Sequence, residues 1–297
     1  RGELVWHVES VVLPSPFRIR VPRWTYMGRS PVIESVRLHD RRSNQDIARD
    51  TLQTTIVLIH GSMDRQAAFA RIARSLSQSY QVLTFDRRGY GKSVKQRGNF
   101  SVDEQVSDLN EILEQFVTTH QVILVGHSFG GVVALSYAQR FPDAIAGLVI
   151  YESPMSWESW WPKDSGGSAA VAVADDPEFA AETFMRRFIG HRRWEALPEA
   201  TKIQRRSEGE ALVGELVDIR RVKPWALDKV RGPLMAGYGS LSKPHLQASA
   251  EFLGNLPDCR SVKIEGAHHN AHSGSPDEFV ELLVQPLIHR VVQGTWS

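Results

Sequence analysis

Ser128 sits in VILVGHSFGGVVALSYA, where Gly126, Ser128 and Gly130 form a G-x-S-x-G run between a strand-like apolar stretch and a helix-like one. A serine on a tight strand-to-helix turn is held in a strained backbone conformation with its Oγ projecting, and flanking glycines let nearby backbone pass without a Cβ clash. Such a hydroxyl is open to a base. The amide of Phe129, at the start of the helix, lies where backbone donors and the helix dipole favour developing negative charge. This is the pattern of nucleophilic attack on a carbonyl. A glycine-rich turn with an incidental serine is the plainer alternative, but it does not require the strand before and the helix after. The base is on offer in HHNAH, which puts His268, His269 and His272 directly after a strand-like run. Three clustered imidazoles also suggest zinc, yet no cysteine or HExxH-type partner accompanies them, and no metal is expected. A serine–histidine pair further needs a carboxylate to hold the imidazole in the right tautomer. The stretch PLMAGYGSLSKPH, residues 233–245, contains none.

These residues need a scaffold to meet. Apolar runs at 54–60, 81–86, 121–127, 146–152, 233–238 and 261–266 alternate with amphipathic stretches near 65–78, 102–117, 129–140, 244–254 and 276–291. That alternation predicts βαβ units and an α/β fold with a mostly parallel central sheet, helices on both faces. Before Thr54, the segments VESVVL, FRIRV and VIESVRL read as antiparallel edge strands with turns at the prolines. Residues 153–226 hold no convincing strand, several tryptophans and helical stretches, so they are expected to form a helical cap inserted into a core of residues 1–152 and 227–297. The 297 residues, 42% hydrophobic and 23% charged, suit one large domain with a substantial core. Lysine plus arginine number 35 against 34 acidic residues, which leaves no basic stripe for nucleic acid. A single cysteine, Cys259, excludes an intrachain disulfide and suits a reducing, cytoplasmic setting. The sequence opens on RGELVWHVES, not on methionine, which fits removal of an earlier segment, and it has no apolar run of about 18 residues to span a membrane.

The chain resembles the α/β-hydrolase fold family from residue 50 onward. The resemblance is carried by IVLIHGSMD, FDRRGYGKS, the turn GHSFGG, YESP, and IEGAHHNAHSGSPDEF. It implies that the loop after His60–Gly61 supplies a second oxyanion donor, the amide of Ser62 or, as the lesser choice, of Met63, with His60 structural. The family's G-A-x-H pattern puts His269 on the catalytic position and leaves His272 to support the loop or the pocket rim. In much of the family the acid follows the penultimate strand, here PLMAGY, where no carboxylate stands. Some members carry it one strand earlier, and there AGLVIYESP offers Glu152, which preserves the order serine, acid, histidine. Glu152 could otherwise merely cap the entrance to the insertion; rival carboxylates are Asp258, Glu265 and Asp277. YESPMSW is similar to the Tyr-Glu-Pro-Pro of cap-bearing members.

Two motifs invite other readings. GKS in FDRRGYGKS hints at a phosphate loop, but the glycine a Walker motif needs is replaced by Asp86. SLSK at 240–243 matches S-x-x-K, yet no SDN or KTG partner occurs in the chain. Met155, Trp157, Trp160, Trp161, Phe184, Phe188, Trp194 and Trp225 are expected to roof an apolar substrate pocket, with docking of the cap onto the sheet as the alternative for each tryptophan. The expected activity is hydrolysis of a carboxylic ester or lactone through an acyl-enzyme, with no cofactor and a small-molecule substrate, by a monomer or homodimer. Carbon–carbon bond hydrolysis of a diketone-like substrate is the enzymatic alternative, and a non-catalytic small-molecule receptor is the alternative of another class. Epoxide and haloalkane hydrolysis are disfavoured, since family members doing that chemistry place aspartate where Ser128 stands.

Overall fold

Each central strand is apolar on both sides because both of its faces are covered. A computed structural model describes residues 32–41, 54–95, 98–117 and 121–296. It contains β1 (Arg37–His39), β2 (Thr54–Ile59), β3 (Gln81–Thr84), β4 (Gln121–His127), β5 (Gly147–Tyr151), β6 (Leu234–Gly239) and β7 (Cys259–Ile264). Alternate residues serve opposite faces. Val57, Ile59, Leu83, Leu124, Leu148, Ile150 and Ala236 join one apolar cluster, while Ile56, Leu58, Val82, Ile123, Val125, Val149 and Met235 join the other. The period of 2 and the double cover together turn each strand into a continuous hydrophobic run. The sheet order is β1-β3-β2-β4-β5-β6-β7, parallel throughout except that β1 runs antiparallel to β3.

Helices α1 (Ala70–Leu76), α2 (Val102–Phe116) and α3 (Phe129–Arg140) follow β2, β3 and β4 in turn. Helix α2 starts where Ser101 Oγ accepts the Glu104 amide at 3.3 Å, with Asp103 and Glu104 in the first turn completing a favourable N-terminus. Between β5 and β6 the chain forms five helices: α4 (Gly166–Val171), α5 (Pro177–Ile189), α6 (His191–Glu195), α7 (Glu199–Arg206) and α8 (Gly209–Arg221). Asp176 caps α5 by accepting the Phe179 amide at 3.0 Å, and Pro177 sits at the first helical position, where no donor is lost. After β6 and β7 come α9 (Pro244–Leu253), α10 (Ala271–Gly274), α11 (Pro276–Phe279) and α12 (Gln285–Gln293).

The structure departs from the sequence expectations at several boundaries. The helix expected over 65–78 opens as a 3-10 turn, Gln66–Phe69, before α1. The helix expected over 276–291 is interrupted by a π-helical turn, Val280–Val284. Pro286 follows that turn and has no N–H to donate back along the helix, which accounts for the break in the ladder. Strand β7 begins two residues before the expected position. Within VIESVRL, Ile33–Ser35 is a 3-10 turn and only Arg37–His39 forms the antiparallel edge; VESVVL and FRIRV lie outside the described residues. Among the described residues, no helix is long and apolar enough to cross a membrane.

Candidate active site

In a parallel sheet, functional loops gather at the carboxyl ends of the strands. Here β2, β4 and β5 are neighbours, so the loops holding Ser62, Ser128 and Glu152 leave the same edge side by side. Ser128 follows β4 directly, at φ 52° and ψ −124°, and caps α3. Its amide donates to the Tyr151 carbonyl at 2.8 Å, which ties the turn to β5. The turn is closed tightly enough to require its glycines. A Cβ on Gly130 would stand 2.1 Å from the Ile59 carbonyl oxygen, and one on Gly61 would stand 2.8 Å from Ser128 Cβ. The second contact shows how closely the loop after β2, which leads into Ser62, passes the serine turn.

Glu152 follows β5, fully buried, at a φ of 49° that is costly for a residue with a side chain. Its Oε1 accepts the Gly239 amide at 2.7 Å and its Oε2 accepts from His269 Nδ1 at 2.6 Å. The backbone of the penultimate strand therefore grips an acid that belongs to its neighbour. The rival carboxylates are engaged elsewhere: Asp258 with Arg290 and Trp296, Asp277 with Arg71, Glu265 with Lys263. His269 and Ser128 both line one cavity of about 590 Å³. Among the described residues the serine hydroxyl makes no hydrogen bond to the ring, a looser pairing than a reacting complex needs. Phe188 stands edge-on to the His269 ring, 5.7 Å between centroids.

His268 also lines the cavity, and its carbonyl accepts from Tyr151 Oη at 3.0 Å. His272 is turned away into a buried support. Its Nε2 donates to Asp64 Oδ2 at 2.9 Å, and its ring lies 3.9 Å from that of His127. His127 Nε2 donates to the His269 carbonyl at 2.9 Å, which pins the backbone of the loop that carries His269. Burial, followed by the charges of His272 and His269, holds the His127 pKa well below the usual range. Asp64, His127 and His272 are the described residues closest to a metal-binding group, their ligand-type atoms within 4.8 Å of one another. Two of the three are already committed to hydrogen bonds, His272 Nε2 to Asp64 and His127 Nε2 to the His269 carbonyl. Asp64 and His127 were not singled out by sequence; the histidine inside GHSFGG was the available signal.

His60 is structural. Its Nε2 accepts the Arg87 amide at 2.9 Å, which leaves Nδ1–H to donate to the Gly61 carbonyl at 2.8 Å. Burial, then the Arg87 charge, lowers its pKa to about 4. The FDRRGYGKS loop is a braced turn: Gly89 and Gly91 take φ of 78° and 53°, and Asp86 accepts the Gln66 and Lys92 amides at 2.8 and 3.0 Å. Arg87 is buried and pairs at 2.8 Å with Glu215 of α8. Glu215 also accepts from Tyr90 Oη at 2.6 Å and from the Ser62 hydroxyl. A second buried acid of the insertion, Glu208, takes Arg65 at 2.6 Å and Arg205 at 3.2 Å. Neither acid was singled out by sequence; the buried arginine across the interface gave no local signal.

Part of the expected apolar roof lines the cavity. Trp161 lines the cavity, with its ring 4.6 Å from that of His245. Met155 is wholly buried in the core, Trp157 stands edge-on to Trp225, and Trp160 packs against Trp161 and Phe252. None of these three is among the described lining residues: Met155 and Trp157 pack against the protein's own apolar groups, and Trp160 is partly exposed at the surface beside Phe252. Phe184 and Phe188, also expected in the roof, do line the cavity, with Ile189, Leu216 and Ile219 completing the apolar wall, while Trp194 and Trp225 are buried in the core. Cys259 is half-buried, and burial pushes its thiol up to about 12.

The family model of the alpha/beta hydrolase family matches residues 56–282. Protein phosphatase methylesterase 1 of Candida albicans is 35% identical over 98 residues, 31% of this chain and 27% of that protein. The chain thus spans about a quarter of the length of that curated relative. Among solved structures, a thermophilic esterase from Thermogutta terrifontis superposes with a TM-score of 0.66 at 19% identity, covering 86% of this chain and 93% of the other. The enol-lactonase from Burkholderia xenovorans gives 0.65 at 18% identity, with 87% and 98% covered. These likenesses show the fold. The family match extends over the strand carrying Ser128, the strand carrying Glu152 and the loop carrying His269, and the chain belongs to the alpha/beta hydrolase family.

Proposed function

We propose that the chain is a serine hydrolase cleaving a carboxylic ester or lactone through an acyl-enzyme. The observation that carries this reading is the His269–Glu152 hydrogen bond of 2.6 Å at the wall of the cavity that also holds the strained Ser128. In this reading Ser128 Oγ attacks the carbonyl and His269 Nε2 takes its proton. Glu152, accepting from Nδ1–H, keeps Nε2 free as the base and then stabilises the imidazolium. The Phe129 and Ser62 amides hold the oxyanion, and the proton returns to the leaving group. Water then repeats the sequence on the acyl-enzyme. Trp161 and the apolar wall receive the substrate's hydrocarbon part. The methylesterase among the sequence relatives and the esterase and lactonase among the fold relatives agree with this substrate class. A fluorophosphonate probe tests the reading: it should label the protein at Ser128, with loss of labelling in Ser128→Ala. Labelling at another residue, or none alongside no turnover of graded aryl esters, defeats it.

A further inference from the structure

The cavity has a lopsided charge. Arg187, Arg193, Arg220 and Lys243 line it, and no aspartate or glutamate does among the described residues. Three of these cations come from the insertion and the fourth from the loop after β6, so they approach the space from two sides. Three other arginines of the insertion are paired with acids. Arg186 pairs with Glu182 and Glu195, Arg206 with Glu182 and Glu199, and Arg205 with Glu208. The cavity-lining four are joined to no carboxylate among the described residues. Arg187 donates to the Asp164 backbone carbonyl at 2.9 Å, and Arg220 to the Leu216 carbonyl at 2.7 Å and the Ser168 hydroxyl at 3.3 Å.

An exposed unpaired arginine is ordinary, because water solvates it. Arg220 is different, since it is partly buried and burial lowers its pKa with no acid to oppose it. A desolvated guanidinium without a counter-ion is unfavourable until an anion arrives, and its planar donors suit a carboxylate or phosphate group. The remaining wall, with Trp161, Phe184, Leu216 and Ile219, suits a hydrocarbon. We infer that the substrate is an ester with an apolar body and an anionic group, carboxylate or phosphate, held by Arg220 with Arg187, Arg193 and Lys243 while the scissile carbonyl lies at Ser128. This rests on the serine-hydrolase reading for the position of the scissile bond. The anion's place in the cavity does not depend on it.

The test measures binding without chemistry. Ser128→Ala protein is titrated calorimetrically with monophenyl adipate, with its neutral methyl ester, and with phenyl 5-phosphonopentanoate. The monoanion should bind at least about tenfold more tightly than the neutral ester, the scale of one charge-assisted pair. That ratio should shrink in 0.5 M salt, as screening requires. It should fall toward one in Arg220→Gln and in Arg187→Gln, and stay in Arg186→Gln, whose arginine is already paired. Tighter binding of the phosphonate than of the adipate assigns the subsite to phosphate, and the reverse assigns it to carboxylate. Should Arg220→Gln fail to fold, the exposed Arg187→Gln and Lys243→Gln decide the matter. Equal binding of charged and neutral ligands, a ratio untouched by the cation variants, or no heat with any of the three at millimolar concentration overturns the inference. Failure of fluorophosphonate labelling in the parent protein would instead defeat the hydrolase reading, so the two failures are distinct.

Discussion

Glu152 uses its two oxygens for two different tasks, one fixed to the Gly239 amide and one to His269 Nδ1. Glu152→Gln keeps the shape but removes the charge, and turnover should fall at least a hundredfold, about 3 kcal/mol in the barrier. Substrate affinity should change little, because the carboxylate acts when charge develops on the ring. Steady-state kinetics on an aryl ester separate the two parameters; a near-normal kcat would remove Glu152 from the mechanism. The adjacent histidines give a second discrimination. His269→Ala should abolish turnover, whereas His268→Ala should lower it mildly, since His268 is tied to Tyr151 through its backbone rather than its ring. The reverse order in a kcat comparison would shift the base by one residue. These roles were legible in the sequence because each sits beside a strand end, where the chain itself fixes direction. Arg187 shows the limit: Arg186 and Arg187 are neighbours of one type, but adjacent helix residues point about 100° apart, so one meets Glu182 and the other the cavity.

At the scale of elements, the turn from β4 to α3 depends on backbone passing backbone. Gly130→Ala would drive a methyl to 2.1 Å from the Ile59 carbonyl, with main chain on both sides and no flexible side chain to yield. A loss of at least about 1–3 kcal/mol is expected, seen as a lower urea midpoint or as insoluble protein. Helix α8 carries a comparable constraint. Glu215→Ala leaves Arg87, only 2% exposed, without its counter-ion, and removal of one partner of a buried pair costs about 3–5 kcal/mol. Urea denaturation of the variant checks this. Strands of the core were readable because burial on both faces writes an uninterrupted apolar run. The insertion was readable as helical but not in its packing: whether Trp157 meets substrate or Trp225 depends on contacts between segments far apart in the chain.

For the molecule as a whole, buried neutral histidines set the response to acid. The folded His60 pKa of about 4 lies below the ordinary 6.5, so the unfolded chain takes up the proton first. Its contribution is complete above about pH 6.5 and is lost progressively as pH falls toward 4, to a total of about 3 kcal/mol at most. His127, shifted in the same direction, adds to the trend. Urea midpoints measured at pH 7.5 and 4.5 should differ accordingly, and His60→Asn should flatten the difference. One feature of the assembly also reaches beyond this chain. Because Glu215 and Glu208 of the insertion neutralise Arg87 and Arg65 of the core, the insertion is not a free cassette. Recombination that exchanged residues 153–226 for another helical segment would inherit two stranded cations and an untethered Ser62 loop. Diversification of such proteins would then proceed by mutation of the cavity wall within a retained insertion, or by exchanges in which the incoming segment brings its own acid opposite Arg87. A chimera lacking that acid should fold only when Arg87 is replaced in the same step.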